Sequence, residues 1–194
     1  MNITFVLPPA RHIDFSDFCP LGVGIIASRL INLNYNVSIV DSGAWGQKEY
    51  WRILEEVKGD IIGIGGTIVQ LKSMVQSARI IRKNNPNAWI FFAGRGVLSI
   101  DSAVLLQYAD AILIGEGEDA VPELLEHEIP FNDSSFPAGW VWKDNSGELH
   151  STGLAPMVDI SELPLPAWSL YPIDKYLQFT QSIRGFPVMH IMSS

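Results

Sequence analysis

Five short apolar runs, separated by stretches with helical spacing, dominate the first two-thirds of the sequence. They are residues 2–7 (NITFVL), 37–40 (VSIV), 61–65 (IIGIG), 88–93 (AWIFFA) and 111–114 (AILI). Strands that are apolar on every residue, not on alternate ones, must be covered on both faces, and a parallel sheet with helices on either side does this. Between the runs, Leu21, Ile25, Ile26, Leu30 and Leu33 share one helical face. Further helices are expected over 47–58, over 69–83 where Asn84-Asn85-Pro86 stops the pattern, near 98–107 and near 119–127. The predicted fold is α/β: a doubly wound, flavodoxin-like (Rossmann-like) five-stranded parallel sheet in the order 2-1-3-4-5.

Beyond residue 128 the pattern changes. Residues 139–142 and 148–151 flank Asp144-Asn145-Ser146-Gly147 and read as a β-hairpin. A proline-rich run from Pro156 to Pro172 reads as an irregular linker, and residues 188–194 as the start of another strand. The expected division is an α/β unit over 1–130, a hairpin extension over 131–155 and a linker over 156–194.

Composition excludes several classes. The net charge is −8 and no Lys/Arg cluster is present, which argues against nucleic acid as a partner. The single cysteine, Cys19, can form no internal disulfide and cannot by itself hold a zinc site or an iron–sulfur cluster, so a reducing cytoplasm is expected. The N-terminus reads as a strand and not a signal peptide, and no run of about 18 apolar residues could span a membrane.

Ligands of open α/β sheets bind beyond the carboxyl ends of the strands. Loops at 8–22, 65–68, 93–97 and 115–118 leave that edge, and three of them carry closely spaced glycines. Without a Cβ, such turns let backbone approach a large ligand, and they also serve turn geometry alone. There is no Walker A loop, and no G-x-G-x-x-G follows the first strand; Gly22-Val23-Gly24 lies inside the predicted first helix. Arg95 reads equally as a phosphate or carboxylate contact and as a solvated loop arginine. Glu116 and Glu118 read as helix caps ahead of ligand acceptors. His12 reads as an exposed loop residue, and Cys19, Trp45 and Trp51 as packing residues. No catalytic or metal-ligating constellation is present, so the residues alone indicate a ligand-binding α/β domain.

The order of segments resembles a known family. PLGVGIIASRL (20–30), VSIVD (37–41), DIIGIGGT (60–67), FAGRG (92–96) and IGEGE (114–118) are similar to the N-terminal half of cobalamin-binding radical SAM proteins. Those typically read PPLGLGYLAA, VEIxD, DxVGISxxT, xxGGPHA and GEGE. DISELPLPAW (159–168) resembles the family linker. The resemblance implies a cobalamin-binding module whose parent is a radical SAM enzyme, a methyltransferase or an anaerobic ring-forming enzyme. In that family a Cys-x3-Cys-x2-Cys motif follows the strand that 188–194 resembles. The chain is therefore expected to be a fragment that holds no [4Fe–4S] cluster or S-adenosylmethionine, both belonging to a radical SAM domain in cis.

Residue by residue, the resemblance sends the cobalamin nucleotide tail between Gly65, Gly66, Thr67 and Ile68 on one loop and Ala93, Gly94, Arg95 and Gly96 on the next. Gly115, Glu116 and Gly117 would line the neighbouring edge. The corrin ring would lie near Pro9, Ala10, Arg11 and His12 and near Leu21 and Gly22. The Asp-x-His-x-x-Gly motif that supplies a lower cobalt ligand is absent, which implies base-off cobalamin without that histidine. Gly94-Arg95-Gly96 stands where the family has Gly-Gly-Pro-His. Two other readings remain: a degenerate domain that only packs on the radical SAM barrel, and a flavodoxin-like binder of a nucleotide or flavin.

Overall fold

The computed structural model describes residues 1–10, 15–16, 19–127 and 136–188. Arg11, His12 and all but Val188 of the strand expected at 188–194 lie outside them. The strands are β1 (Asn2–Leu7), β2 (Asn36–Asp41), β3 (Ile61–Gly65), β4 (Trp89–Ala93), β5 (Ala111–Leu113), β6 (Trp140–Lys143) and β7 (Leu149–Ser151). They form one sheet in the order β2-β1-β3-β4-β5-β6-β7. The first five pair in parallel, so the doubly wound order 2-1-3-4-5 stands as expected. The hairpin is not a separate appendage. It continues the sheet antiparallel to β5, with Trp140 opposite Leu113.

Successive strand residues face opposite sides, and each side has its own core. Ile3, Phe5, Ile61, Phe91 and Leu113 face α1 (Leu21–Asn32) and α5 (Gly117–Leu125). Val6, Ile62, Ile64, Ile90, Phe92 and Ile112 face α2 (Ser42–Leu54), α3 (Leu71–Asn84) and α4 (Ser102–Leu105). Burying one such side chain contributes about 1.5–3 kcal/mol.

The register of the central strands depends on one glycine. Phe5 and Phe91 flank Gly63 across the ladder, and their rings meet edge to face at 6.4 Å. A Cβ on Gly63 would lie 2.6 Å from Phe91 Cζ and 2.9 Å from Phe5 Cδ1. The missing side chain is thus the space in which two aromatic rings pack.

Three helices differ from expectation. α2 starts earlier than residue 47, because Asp41 Oδ1 accepts from Gly43 N at 2.9 Å and Gly46, at φ 73°, lets the helix kink instead of stopping. The helix expected over 98–107 is a 3-10 turn at Arg95–Ser99 followed by the one-turn α4, which Asp101 caps. The expected linker over 156–194 contains α6 (Ile173–Arg184), which ends at Gly185 with φ 82°. Tyr176 and Thr180 are its buried positions, four apart on one face. A valine at 63 should force both rings off their positions and lower stability by about 1–3 kcal/mol; urea unfolding of Gly63→Val checks this.

Candidate functional site

At the carboxyl edge, the α2/α3 side is closed by backbone. The β3 turn, Gly65-Gly66-Thr67, runs into a 3-10 turn at Ile68–Gln70 built on a capping box between Thr67 and Gln70. Gln70 Oε1 accepts from Thr67 N at 2.9 Å and from Thr67 Oγ1 at 3.0 Å. Its Nε2 donates to Pro8 O at 2.6 Å, so one amide ties the loop after β1 to the loop after β3. The β4 turn lies directly against the β3 turn. Gly66 N donates to Ala93 O at 3.2 Å, and Gly96 N donates to Gly66 O at 2.9 Å. A Cβ on Gly94 would sit 2.6 Å from Gly66 O, and one on Gly96 2.7 Å from Thr67 O.

The two turns expected to flank the nucleotide tail, Gly65–Ile68 and Ala93–Gly96, are therefore in direct backbone contact at Gly66 and Gly96, with Gly94 packed beside them. Gly115 is used in a similar way. It forms a bridge to Ala155, whose N donates to Ile114 O at 2.9 Å.

On the α1/α5 side the described residues crowd the strand ends less. The row above Phe5, Gly63 and Phe91 on the same face is Leu7, Gly65 and Ala93, with Gly65 paired to Ala93. The nearest atom to a Cβ on Gly65 would be Leu7 Cδ2, at 3.4 Å. Across from them, α1 begins at Leu21 and Gly22, after Pro20, which provides no side-chain cap. Among the described residues, the atom nearest to a Cβ on Gly22 would be Glu118 Oε1, at 3.6 Å. A Cβ at Gly65 or Gly22 would thus meet no described atom closer than 3.4 Å, and the first amides of α1 have no side-chain cap.

Glu118 stands beside Gly22. Burial, as the largest influence, pushes its carboxyl above the ordinary range, and Glu116 adds to this. The backbone amides of Glu118 and Gly117 oppose the shift. The residue at the N-cap of α5 is Glu116, and, contrary to the capping expectation, its side chain makes no cap hydrogen bond. Glu116 is exposed and Gly117 is buried against Ile26 and Leu113. Pro9 is buried and Ala10 half-buried. Thr67, Ile68, Val69, Gly94, Arg95 and Leu98 are exposed on the rim, three of them large apolar residues more than half exposed.

Sequence reasoning missed Gln70, although the Thr-x-x-Gln spacing of a capping box was legible. It also missed a buried polar cluster beside β2. There Tyr176 Oη donates to Asp41 Oδ2. Burial raises the Asp41 carboxyl, and it pushes the Cys19 thiol up to about 11. Among the described residues, Asp144, Glu148 and His150 in the β6–β7 turn bring ligand-type atoms within 4.8 Å. Asp144 spends both oxygens on the turn itself, Oδ1 on the amides of Ser146 and Glu148 and Oδ2 on His150 Nε2 at 2.9 Å. A groove of about 430 Å³ between α3 and α4, lined by Leu71, Val75, Arg79, Val104 and Tyr108, lies on the flank.

Gly94 sits at φ 87°, ψ 173°, a region that only glycine occupies readily. Gly94→Ala should cost about 1–3 kcal/mol and open the zipped turns, which thermal unfolding and amide exchange at Gly96 would register.

No protein-family model matches the chain. A protein of Pyrococcus horikoshii described as the uncharacterized methyltransferase PH0819 is 26% identical over 185 residues, covering 91% of this chain. The chain spans 40% of the length of that relative. Among solved structures, the cobalamin-dependent S-adenosylmethionine radical enzyme OxsB, with aqua-cobalamin and S-adenosylmethionine bound, superposes with a TM-score of 0.73 at 19% identity. That match covers 92% of this chain and 25% of OxsB. The radical S-adenosylmethionine methyltransferase TsrM of Kitasatospora setae, with cobalamin and a [4Fe-4S] cluster bound, gives 0.62 at 14% identity, covering 84% of this chain and 31% of TsrM. No helix among the described residues is long and apolar enough to cross a membrane. The chain is thus similar in sequence to part of a methyltransferase relative, and it has the α/β fold found in part of two radical S-adenosylmethionine enzymes whose structures hold cobalamin.

Proposed function

We propose that the chain is a cobalamin-binding module that works in cis with a radical SAM domain, in a parent enzyme of the methyltransferase type. The observation that carries this reading is the fold shared with a cobalamin-holding enzyme, together with the uncrowded Gly65 and Ala93 at the strand ends, where open α/β sheets take ligands; the proposed crevice lies over them, beside the first turn of α1. Its chemistry suits the cofactor. Small side chains leave room for a long nucleotide appendage, and free helical amides can receive phosphate or amide oxygens. The exposed Ile68, Val69 and Leu98 beside Arg95 offer an apolar rim for the edge of a flat macrocycle.

The appendage would then pass on the α1/α5 side, over Gly65, Ala93 and Gly22, and not between the β3 and β4 turns. Bound cobalamin would supply a cobalt centre able to carry a methyl group. The chain's own residues would hold and orient the cofactor. With no Asp-x-His-x-x-Gly motif, bound cobalamin would receive no histidine from it. The zipped turns at Gly66 and Gly94 favour one second reading, a domain that has lost the cofactor and only packs on the barrel.

Mixing the purified chain with hydroxocobalamin and desalting it separates the two. Retained chromophore with a shifted visible spectrum is the expected result. A folded sample that elutes colourless would sink the cofactor reading and leave the second. Gly65→Leu places a side chain in the crevice without forcing a left-handed backbone. It should abolish retention while moving the melting midpoint by only a few degrees or less, roughly the effect of a change under 1 kcal/mol.

A further inference from the structure

The chain after β7 does not leave the sheet as a free linker; it crosses α1 as a strap. Ala155 is fixed to β5 through Ile114 O. Leu165 O accepts from Ser28 Oγ at 2.6 Å, and Ala167 N donates to Gly24 O at 2.9 Å. Tyr171 Oη donates to Pro20 O at 2.6 Å. The strap then enters α6, where Tyr176 Oη donates to Asp41 Oδ2 at the end of β2. It therefore runs from the β5 side of the sheet to the β2 side and passes outside the first turns of α1.

The contact is close because residue 24 has no side chain. A Cβ there would lie 2.9 Å from Pro166 Cβ and 3.2 Å from Tyr171 Cε2. Glycine in a helix is unfavourable by itself, and its use here is to let the strap lie on the helix backbone. Pro20 O and Gly24 O bracket Leu21 and Gly22, the two residues at the lip of the crevice. At its far end the strap also reaches the loop between β1 and α1. Asp41 Oδ1 accepts from Gly43 N, and Gly43 O accepts from Ser16 N at 2.9 Å. Phe15 packs on Phe179 of α6 with ring centroids 5.5 Å apart.

We propose that Tyr171 is a positioning residue: through its hydrogen bond to Pro20 O, the strap sets where the first turn of α1 stands and so sets the width of the crevice over Gly65. The consequence for cofactor rests on the cobalamin reading; the effect on α1 does not. The strap holds α1 at Pro20 and Gly24, on either side of Leu21 and Gly22, and again at Ser28.

The test is Tyr171→Phe, which removes one oxygen and keeps the buried ring. Ala78→Gly, in α3 on the opposite face of the sheet, serves as a destabilised control. Amide exchange is followed on the full chain without ligand, and hydroxocobalamin affinity is measured by titration. Tyr171→Phe should speed exchange at Gly24 to Ala27 roughly fivefold, the loss of about one hydrogen bond. It should weaken hydroxocobalamin binding by a similar factor, while Ala78→Gly changes neither locally. Exchange in Tyr171→Phe that matches the unaltered chain overturns the proposal. So does an equal acceleration at these amides in the control, which would mark the effect as global stability. If the unaltered chain retains no cobalamin but Tyr171→Phe still frees α1, the cofactor reading falls and the strap's role in setting the crevice stands.

Discussion

The edge-to-face contact of Phe5 with Phe91 over Gly63 is the constraint from which the rest of the molecule follows. Two rings can meet there only if β1, β3 and β4 are in one register, and a slip by one residue would send both rings to the other face. Because side chains alternate, that register also decides what stands two residues further on. Leu7, Gly65 and Ala93 come side by side at the strand ends, so the lining of this edge is set by packing deeper in the sheet.

Glycine does two opposed jobs along this edge. At Gly65 its missing side chain leaves space. At Gly94, Gly96 and Gly115 it lets one backbone lie against another and removes space. Both uses read identically in a sequence, because the letter reports the absent Cβ and not which neighbour approaches it. For that reason the carboxyl edge and its glycine turns were legible, whereas which of the glycines lie against backbone was not. Gln70 illustrates the same limit: its capping box was visible, but its bond to Pro8 joins residues far apart in sequence.

The fold was more legible than the site. Near-continuous apolar strands at regular spacing left little choice but a parallel sheet covered on both faces, and the Asp-Asn-Ser-Gly turn marked the hairpin. α6 was hidden for a local reason. Pro164, Pro166 and Pro172 precede it and read as linker, and its buried face is narrow, with Tyr176 and Thr180 as the fully covered positions. What stabilises that helix is tertiary: the Tyr176 hydroxyl on a buried carboxylate, Phe179 against Phe15 and Lys175 over the Trp45 ring at 4.3 Å. None of these contacts has a signature in local spacing.

The antiparallel hairpin also bears on solubility. A parallel sheet that stopped at β5 would present a buried-type strand, apolar along its length, as a margin with unsatisfied amides. Pairing β6 and β7 onto it moves that margin outward from the apolar, buried Ala111–Leu113 to Leu149–Ser151, equally short but carrying the polar His150 and Ser151. A short polar margin is a poorer template for another chain. The tryptophans of β6 meanwhile lie against Phe91 and Phe136 inside the aromatic cluster. The hairpin thereby shields the sheet from lateral self-association at the border where the parallel strands run out.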